Sequence, residues 1–439
     1  MRSIVGMLAL AGNLSTQGAD LLEIYQQAQS NDPTFEAARD AYEAAREKIP
    51  QARAGLLPAV NLNGSDNTTS ALAQFTNTPS LNRDVHAWTW TLQLTQPLIR
   101  LQNFFAYSES ESLVEAASAQ YTQAEQDLIL RVTHAYFDVL VAQESIEVAE
   151  AQLDAAQEQL ALVNHGYKAG TNAVTDVYEA KARSGLASSQ RIAAINELEA
   201  KRAELDKIVE KAPSMLAALQ PSVVVPKPQP DNVQAWIDHA RENNPTVLAP
   251  KAAYEAAKAA VKKNRAERLP TLDLVASYGQ NYSSGILTMP TDFASRINSR
   301  EIGVQLNMPL FTGGATSSRV AEAVANKNKA EAELEAARRQ AGTDARLAYS
   351  GITTGLAQIE ALESAIESSK NAVKGNQMGY RLGIHMNIDV LNAEQQLYTA
   401  RRDMVKARYD TLFQGLKLKA AAGVLTEADV LVVNRMLAH

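Results

Sequence analysis

The chain has 439 residues, 46% hydrophobic and 21% charged, enough apolar material to bury a large core or to divide into two or three domains. Against 49 Asp and Glu there are 42 Lys and Arg, and the resulting net charge of -7 argues against a nucleic-acid partner. The absence of cysteine excludes disulfides, thiolate metal sites, cysteine nucleophiles and a lipidated N-terminal cysteine together.

At the start, Arg2 is followed by an apolar run from Ile4 to Leu10 and then by small and polar residues up to Gly18-Ala19-Asp20. This is the layout of a secretory signal, expected over residues 1–19. No later stretch offers about 18 consecutive apolar residues, so any membrane crossing has to be made by strands.

From residue 20 onward the chain is two copies of one unit. Asn31-Asp32-Pro33 recurs as Asn243-Asn244-Pro245 and Leu57-Pro58 as Leu269-Pro270; 245 − 33 and 270 − 58 both give 212. Later the register slips by one residue, so that Tyr167 matches Tyr380 and Asp176 matches Asp389. Between the copies, Pro221 to Pro230 holds four prolines and reads as an extended linker. The expected organisation is a first repeat over 20–212, a linker over 213–230, a second repeat over 231–425 and a C-terminal segment over 426–439.

Within each copy a helix-forming stretch reaches Leu-Pro, and the apolar spacing changes to strict alternation. That switch predicts strands at about 59–72 and 86–98, and again at about 270–283 and 299–311. Trp88, Trp90, Leu92 and Leu94 alternate with Thr and Gln; Leu272, Leu274 and Tyr278, then Ile302, Val304 and Leu306, do the same in the second copy. The pattern suits a membrane-facing barrel wall with water on its other side, or the inner face of a soluble sandwich. Long polar loops (63–84 and 282–299) and long flanking helices favour the barrel. Four strands cannot close a barrel, so other subunits must meet the open edges.

From about Phe105 to His165 there is no proline, enough for a helix of roughly 90 Å at 1.5 Å per residue. Along it Leu128, Val132, Ala135, Val139, Ala142, Ile146, Ala149, Leu153, Ala156, Leu160 and Val163 follow steps of four and three, a heptad seam. Ile352, Ile359, Ile366 and Val373 repeat every seven residues in the second copy, and the return helix carries the rhythm from Val390 to Ala407. Each outgoing helix is expected to turn at a glycine, at 166–171 with Tyr167, Gly170 and Thr171 and at 379–384 with Tyr380, Gly383 and Ile384. The fold class is therefore α+β, mainly α, with two helical hairpins and four strands.

In this order of paired Leu-Pro motifs, Pro-Leu strand exits ending in Pro309-Leu310-Phe311-Thr312-Gly313-Gly314, and two Tyr-x-x-Gly turns, the sequence resembles the TolC family of outer-membrane efflux proteins. The resemblance covers about Asp20 to Leu437. It implies a homotrimer in which each chain gives four strands to one 12-stranded barrel in outer-membrane lipid, continued into the periplasm by a tube of helices. It also implies that the turns dock a periplasmic adaptor, and through it an inner-membrane ABC or RND transporter, in type I secretion or multidrug efflux. By the same resemblance Asp176, Tyr380 and His385 form a periplasmic gate, with His385 where the family often has Arg. Asp389 and Asn392 stand at the entrance ring, where Asn392 replaces a second acidic residue. Arg stays charged at any ordinary pH whereas histidine titrates near neutrality, so a latch from position 385 to Asp176 or another carboxylate is expected to tighten on acidification.

No enzyme constellation is apparent, and no cofactor is implied. The six histidines form no pair at metal-ligand spacing, and Thr312-Gly313-Gly314 lacks the Gly-Lys-Ser/Thr ending of a phosphate loop. The competing reading is a soluble periplasmic coiled-coil scaffold or adaptor, which explains the heptads but leaves the alternating strands without a purpose.

Overall fold

A computed structural model describes residues 18–74, 76, 79–213, 215–220, 223–287 and 293–438. The expected signal segment lies outside the described residues except for Gly18 and Ala19. In chain order the elements are α1 (Leu21–Asn31), α2 (Pro33–Arg46), α3 (Lys48–Ala54), β1 (Ala59–Ala73), β2 (Leu81–Ile99), α4 (Leu101–Lys168) and α5 (Val174–Val209). The second half repeats the plan with α6 (Val233–Asn243), α7 (Pro245–Ala266), β3 (Thr271–Ser283), β4 (Ser295–Asn307), α8 (Ala315–Arg381) and α9 (Asn387–Ala421), and ends with α10 (Glu427–Asn434). The 68 residues of α4 correspond to about 100 Å of continuous helix. The chain divides into two compact units, one made of Met1–Arg39, Tyr121–Val247 and Arg338–His439, the other of Asp40–Gln120 and Leu248–Ala337.

The first unit is helical and has its own core. Leu21, Ile24 and Tyr25 of α1 pack with Leu128, Val132, Tyr136 and Val139 of α4, Leu205 and Val209 of α5, and Tyr409, Leu412 and Leu416 of α9. Leu128, Val132, Ala135 and Val139 of the heptad seam supply part of the α4 side of this cluster, because every third and fourth position returns to the same helix face, and Ile129, Tyr136, Phe137 and Leu140, outside the seam, supply the rest. The segment after α5 is tied in through its backbone, with Leu216 bridged to Ala19 and Leu219 to Leu437. The Tyr136 hydroxyl lies 2.8 Å from the Ala217 carbonyl and 3.1 Å from that of Ala19, and burial raises its pKa. Ala19, expected at the end of the signal, is thus built into this framework.

The internal repeat is visible in the caps. Asp32 accepts the Thr34 amide at 2.7 Å, and Asn244, 212 residues on, accepts the Thr246 amide at 2.7 Å. The second bond differs, because Asp32 pairs with Arg131 at 2.6 Å whereas Asn244 donates to the Ala421 carbonyl at 2.6 Å.

The second unit holds one antiparallel sheet of four strands in the order β1-β2-β3-β4. The central pairing, β2 with β3, joins the two repeats. β4 stops at Asn307, short of position 311 to which the alternation was extended, because Pro309 has no N–H to donate. β2 begins at Leu81, ahead of position 86. At the helix end of the sheet, Arg100 grips Asp273 through two hydrogen bonds of 2.7 and 2.6 Å, which fix the start of α4 against β3.

Candidate functional site

Register decides what the alternation in the strands means. Val60, Leu94, Ala276 and Ile302 are aligned across the four strands, as are Leu62, Leu92, Tyr278 and Arg300. Paired residues of an antiparallel sheet share a face, so these rows, with Leu272, Leu274, Val304 and Leu306, make one continuous apolar surface. Trp90 meets Tyr278 edge-on at 5.5 Å and Trp88 stacks on Tyr282 at 5.7 Å, forming an aromatic border at the hairpin end. From Leu272 to Tyr282 is about 34 Å along the strand, or about 26 Å across a membrane at a 40° tilt, close to the height of a lipid-facing band. The opposite face carries Asn61, Asn63, Thr89, Thr91, Gln93, Ser277, Glu301 and Gln305.

Much of this apolar surface is left uncovered by the described residues. Val60 is 59% exposed, Ile302 76% and Leu306 67%. A contiguous exposed apolar face of this size marks a contact with lipid or another chain. No helix among the described residues is long and apolar enough to cross a membrane.

The hairpin turns in the first unit share three backbone hydrogen bonds at equivalent positions. Thr171 N–H reaches the Gly166 carbonyl at 2.9 Å and Ile384 N–H reaches the Gly379 carbonyl at 2.8 Å. Gly170 and Gly383 have φ of 80° and 73°, the left-handed conformation that glycine adopts without strain. After each turn a carboxylate caps the next helix. Asp176 accepts the Ala173 amide at 3.1 Å and Asp389 the Met386 amide at 2.9 Å.

The three residues assigned to the gate make three separate contacts in the protomer. Tyr380 is met by Asn172, whose amide donates to the phenolic oxygen at 2.5 Å and so joins one hairpin tip to the other. His385 sits over Gly379, where a β-carbon would overlap its ring, with Nδ1 3.7 Å from the Asp389 carboxylate. Asp176 is engaged with its own helix N-terminus. Asn392 accepts from Arg183 at 2.8 Å, linking α5 to α9. Tyr167, Leu382, Ile384 and Met386 are all exposed at the tips.

Sequence reasoning missed Asn172, although a signal was present. It lies 213 residues before His385, the same offset that relates Tyr167 to Tyr380, and it occupies the equivalent place over Gly166. It also missed the polar bonds that fasten α9 to its neighbours, Gln159 to Asn387 at 2.5 Å, Gln152 to Gln395 at 3.1 Å and Gln377 to Glu394 at 3.2 Å. Burial raises the pKa of Glu394, with Gln377 opposing. Among the described residues no group of three or more His, Asp or Glu is placed to hold a metal ion.

A sheet with one apolar and one polar face, open at both edges and carried by long helical hairpins, defines the class: a subunit of an outer-membrane channel. The family model described as Outer membrane efflux protein matches residues 24–209 and 236–424, one match in each repeat. The chain belongs to that family. It is 33% identical to the alkaline protease secretion protein AprF of Pseudomonas aeruginosa, over 94% of this chain and 86% of that one. It is 30% identical to the outer membrane protein TolC of Vibrio cholerae, over 97% and 96%. Among solved structures, CusC superposes with a TM-score of 0.80 at 18% identity over 92% of each chain. VceC from Vibrio cholerae does so with a TM-score of 0.78 at 21% identity, over 92% of this chain and 96% of that one. The protein is an outer-membrane channel component with its helical part in the periplasm, and the soluble scaffold reading is set aside.

Proposed function

We propose that three copies of this chain close one barrel, each supplying four strands, and that the helical hairpins form a tunnel whose inner end is made by the two tips. The tunnel gives passive exit to substrates driven by an inner-membrane ABC or RND transporter, and the periplasmic adaptor docks on the exposed turns around Tyr167, Gly170, Thr171, Gly383 and Ile384. Similarity to a relative named for alkaline protease secretion favours a polypeptide cargo over small drugs.

The observation that carries the gate is the Asn172–Tyr380 hydrogen bond between the two tips of one protomer. Asn172 and His385 are equivalent in the repeat, as are Tyr380 and Tyr167. The same relation carried around the axis sets His385 against Tyr167 of the partner subunit, so that contacts within and between protomers alternate around the mouth. Asp176 and Asp389 hold the helix starts that aim these side chains, and Asp389 with Asn392 lines the entrance.

Single-channel conductance in planar bilayers tests this. Tyr380→Phe and Asn172→Ala each remove the bond within the protomer, and each is expected to raise the conductance of the resting channel. Unchanged conductance in both would remove the tips from the gate. Asp389→Ala is expected to weaken cation selectivity and block by multivalent cations, because a ring of carboxylates concentrates negative potential in a narrow passage.

A further inference from the structure

Two arginines stand toward the hairpin end of the face that carries the apolar rows, on either side of Asn298, which accepts from Gln280 at 2.6 Å. Arg296 and Arg300 lie at even positions of β4, in register with Tyr282 and Tyr278, on the face that carries Ile302, Val304 and Leu306. Each guanidinium is stacked on the tyrosine beside it, Arg300 Cζ 5.4 Å from the Tyr278 ring centre and Arg296 Cζ 5.9 Å from that of Tyr282. Both side chains are exposed. Among the described residues neither has a carboxylate partner. Glu301 points to the opposite face, and on the same face Asp66 lies across the sheet on β1, held by His86 at 2.7 Å.

Position along the strands fixes the surroundings. β3 and β4 leave the helices at Thr271 and Asn307, so Arg296 and Arg300 lie toward the hairpin end, level with the aromatic border of Trp88, Trp90, Tyr278 and Tyr282. With the helices in the periplasm, that end faces outward, into the outer leaflet. A guanidinium on a lipid-facing wall is tolerated where it can reach the headgroup layer and find an anion there. The tyrosine stacking holds each fork upright and leaves its donors free, and planar donor pairs match phosphate oxygens. Four residues of strand separate the two, about 13 Å. That spacing suits two phosphates rather than one.

We infer that Arg296 and Arg300, braced by Tyr282 and Tyr278, form a binding site on the barrel wall for a diphosphorylated glycolipid headgroup of the outer leaflet. Its acyl chains run down the Ile302, Val304 and Leu306 stripe. The inference rests on the apolar face being the lipid face.

The test uses the purified full-length protein in non-ionic detergent doped with diphosphoryl lipid A, monophosphoryl lipid A or phosphatidylcholine, with retained lipid read by native mass spectrometry and assembly by gel mobility without heating. Wild type is expected to retain diphosphoryl lipid A in preference to the other two. The variant R296Q/R300Q is expected to lose about tenfold in retention while keeping assembly and conductance, and R296K/R300K to recover part of it. Added inorganic phosphate is expected not to substitute, which separates a lipid site from a simple anion site. Equal retention by wild type and R296Q/R300Q overturns the inference. So does loss of assembly by R296Q/R300Q in lipid-free detergent, which would assign the arginines to a subunit seam opposite Asp66. Failure of wild type itself to assemble or conduct would instead count against the channel reading of the sheet.

Discussion

The helical unit and the sheet unit spend the same kind of sequence in opposite ways. In the first, apolar residues at heptad spacing meet other helices of the same chain, and Leu21, Leu128, Val132 and Leu205 are fully buried. In the second, apolar residues at alternate positions line up on one face and stay uncovered, and β1 is exposed along nearly its whole length. One region buries a core of its own, and the other leaves its apolar face uncovered by the described residues. Packing within one chain therefore measures stability in the helical unit and measures unmet demand in the sheet.

The contrast can be broken most strongly in the helical core. Leu128→Ala leaves a cavity among α1, α4, α5 and α9 and is expected to cost about 2–5 kcal/mol, read as a lower denaturant midpoint for the loss of helical signal. An equivalent truncation at Leu306 is expected to cost much less in detergent, because that side chain is 67% exposed and has little packing to lose. If the two cost the same, the sheet has a protein cover that the chain itself does not provide.

A charge sharpens the other side of the comparison. Ile302→Arg sets a guanidinium in the middle of the apolar band and is expected to cost about 2–4 kcal/mol in a bilayer, seen as loss of the heat-modifiable folded form. Gln305→Arg, on the opposite face of the same strand, is expected to stay within about 0.5 kcal/mol. Equal damage from both would mean that neither face of the sheet meets water.

The smallest expected effect belongs to the helical unit and depends on pH. Asp32 is held below the ordinary carboxylate range: burial works to raise it, but hydrogen bonds from Thr34 and Arg131 and from the Phe35 and Thr34 amides lower it further. The native state therefore takes up this proton at a lower pH than the unfolded chain. Its contribution is present above about pH 4, near the ordinary value, and is lost as pH falls through the lower folded value. Asp32→Asn is expected to cost about 1 kcal/mol at pH 7, since Arg131 is partly exposed and Asn keeps the capping bond. The gap between the two proteins is expected to narrow progressively as pH is lowered below about 4 in urea titrations. A gap that does not narrow there would assign the cost to packing.

Much of the fold was legible in the sequence because it rests on period and repetition. The heptad seam, the change to alternation after Leu57-Pro58 and Leu269-Pro270, and the glycines at 170 and 383 are each local signals with a single geometric meaning. The tips were only half legible. Tyr380 was found through resemblance, but its partner Asn172 could have been found only by carrying the repeat offset from His385 and asking what faces the equivalent place. For the latch expected from position 385 to Asp176 or another carboxylate, the carboxylate beside the imidazole in the protomer is Asp389, at 3.7 Å, while Asp176 caps its own helix at Ala173.

By itself the sequence determined the number of strands, the length and seam of the helices, the positions of the turns and the duplication that relates one half to the other. These follow from backbone geometry and from the spacing of apolar residues along one chain. Only the tertiary structure decided which strands pair, and hence that Val60, Leu94, Ala276 and Ile302 form one row and that Arg296 and Arg300 rest on Tyr282 and Tyr278 on the same face of the sheet. Alternation says that a strand has two faces, but a slip of one residue in pairing would send every side chain of that strand to the other face. Within each hairpin the turn helps to set the register, but between β2 and β3 it is fixed by hydrogen bonds between segments from the two halves of the chain, which no local pattern encodes.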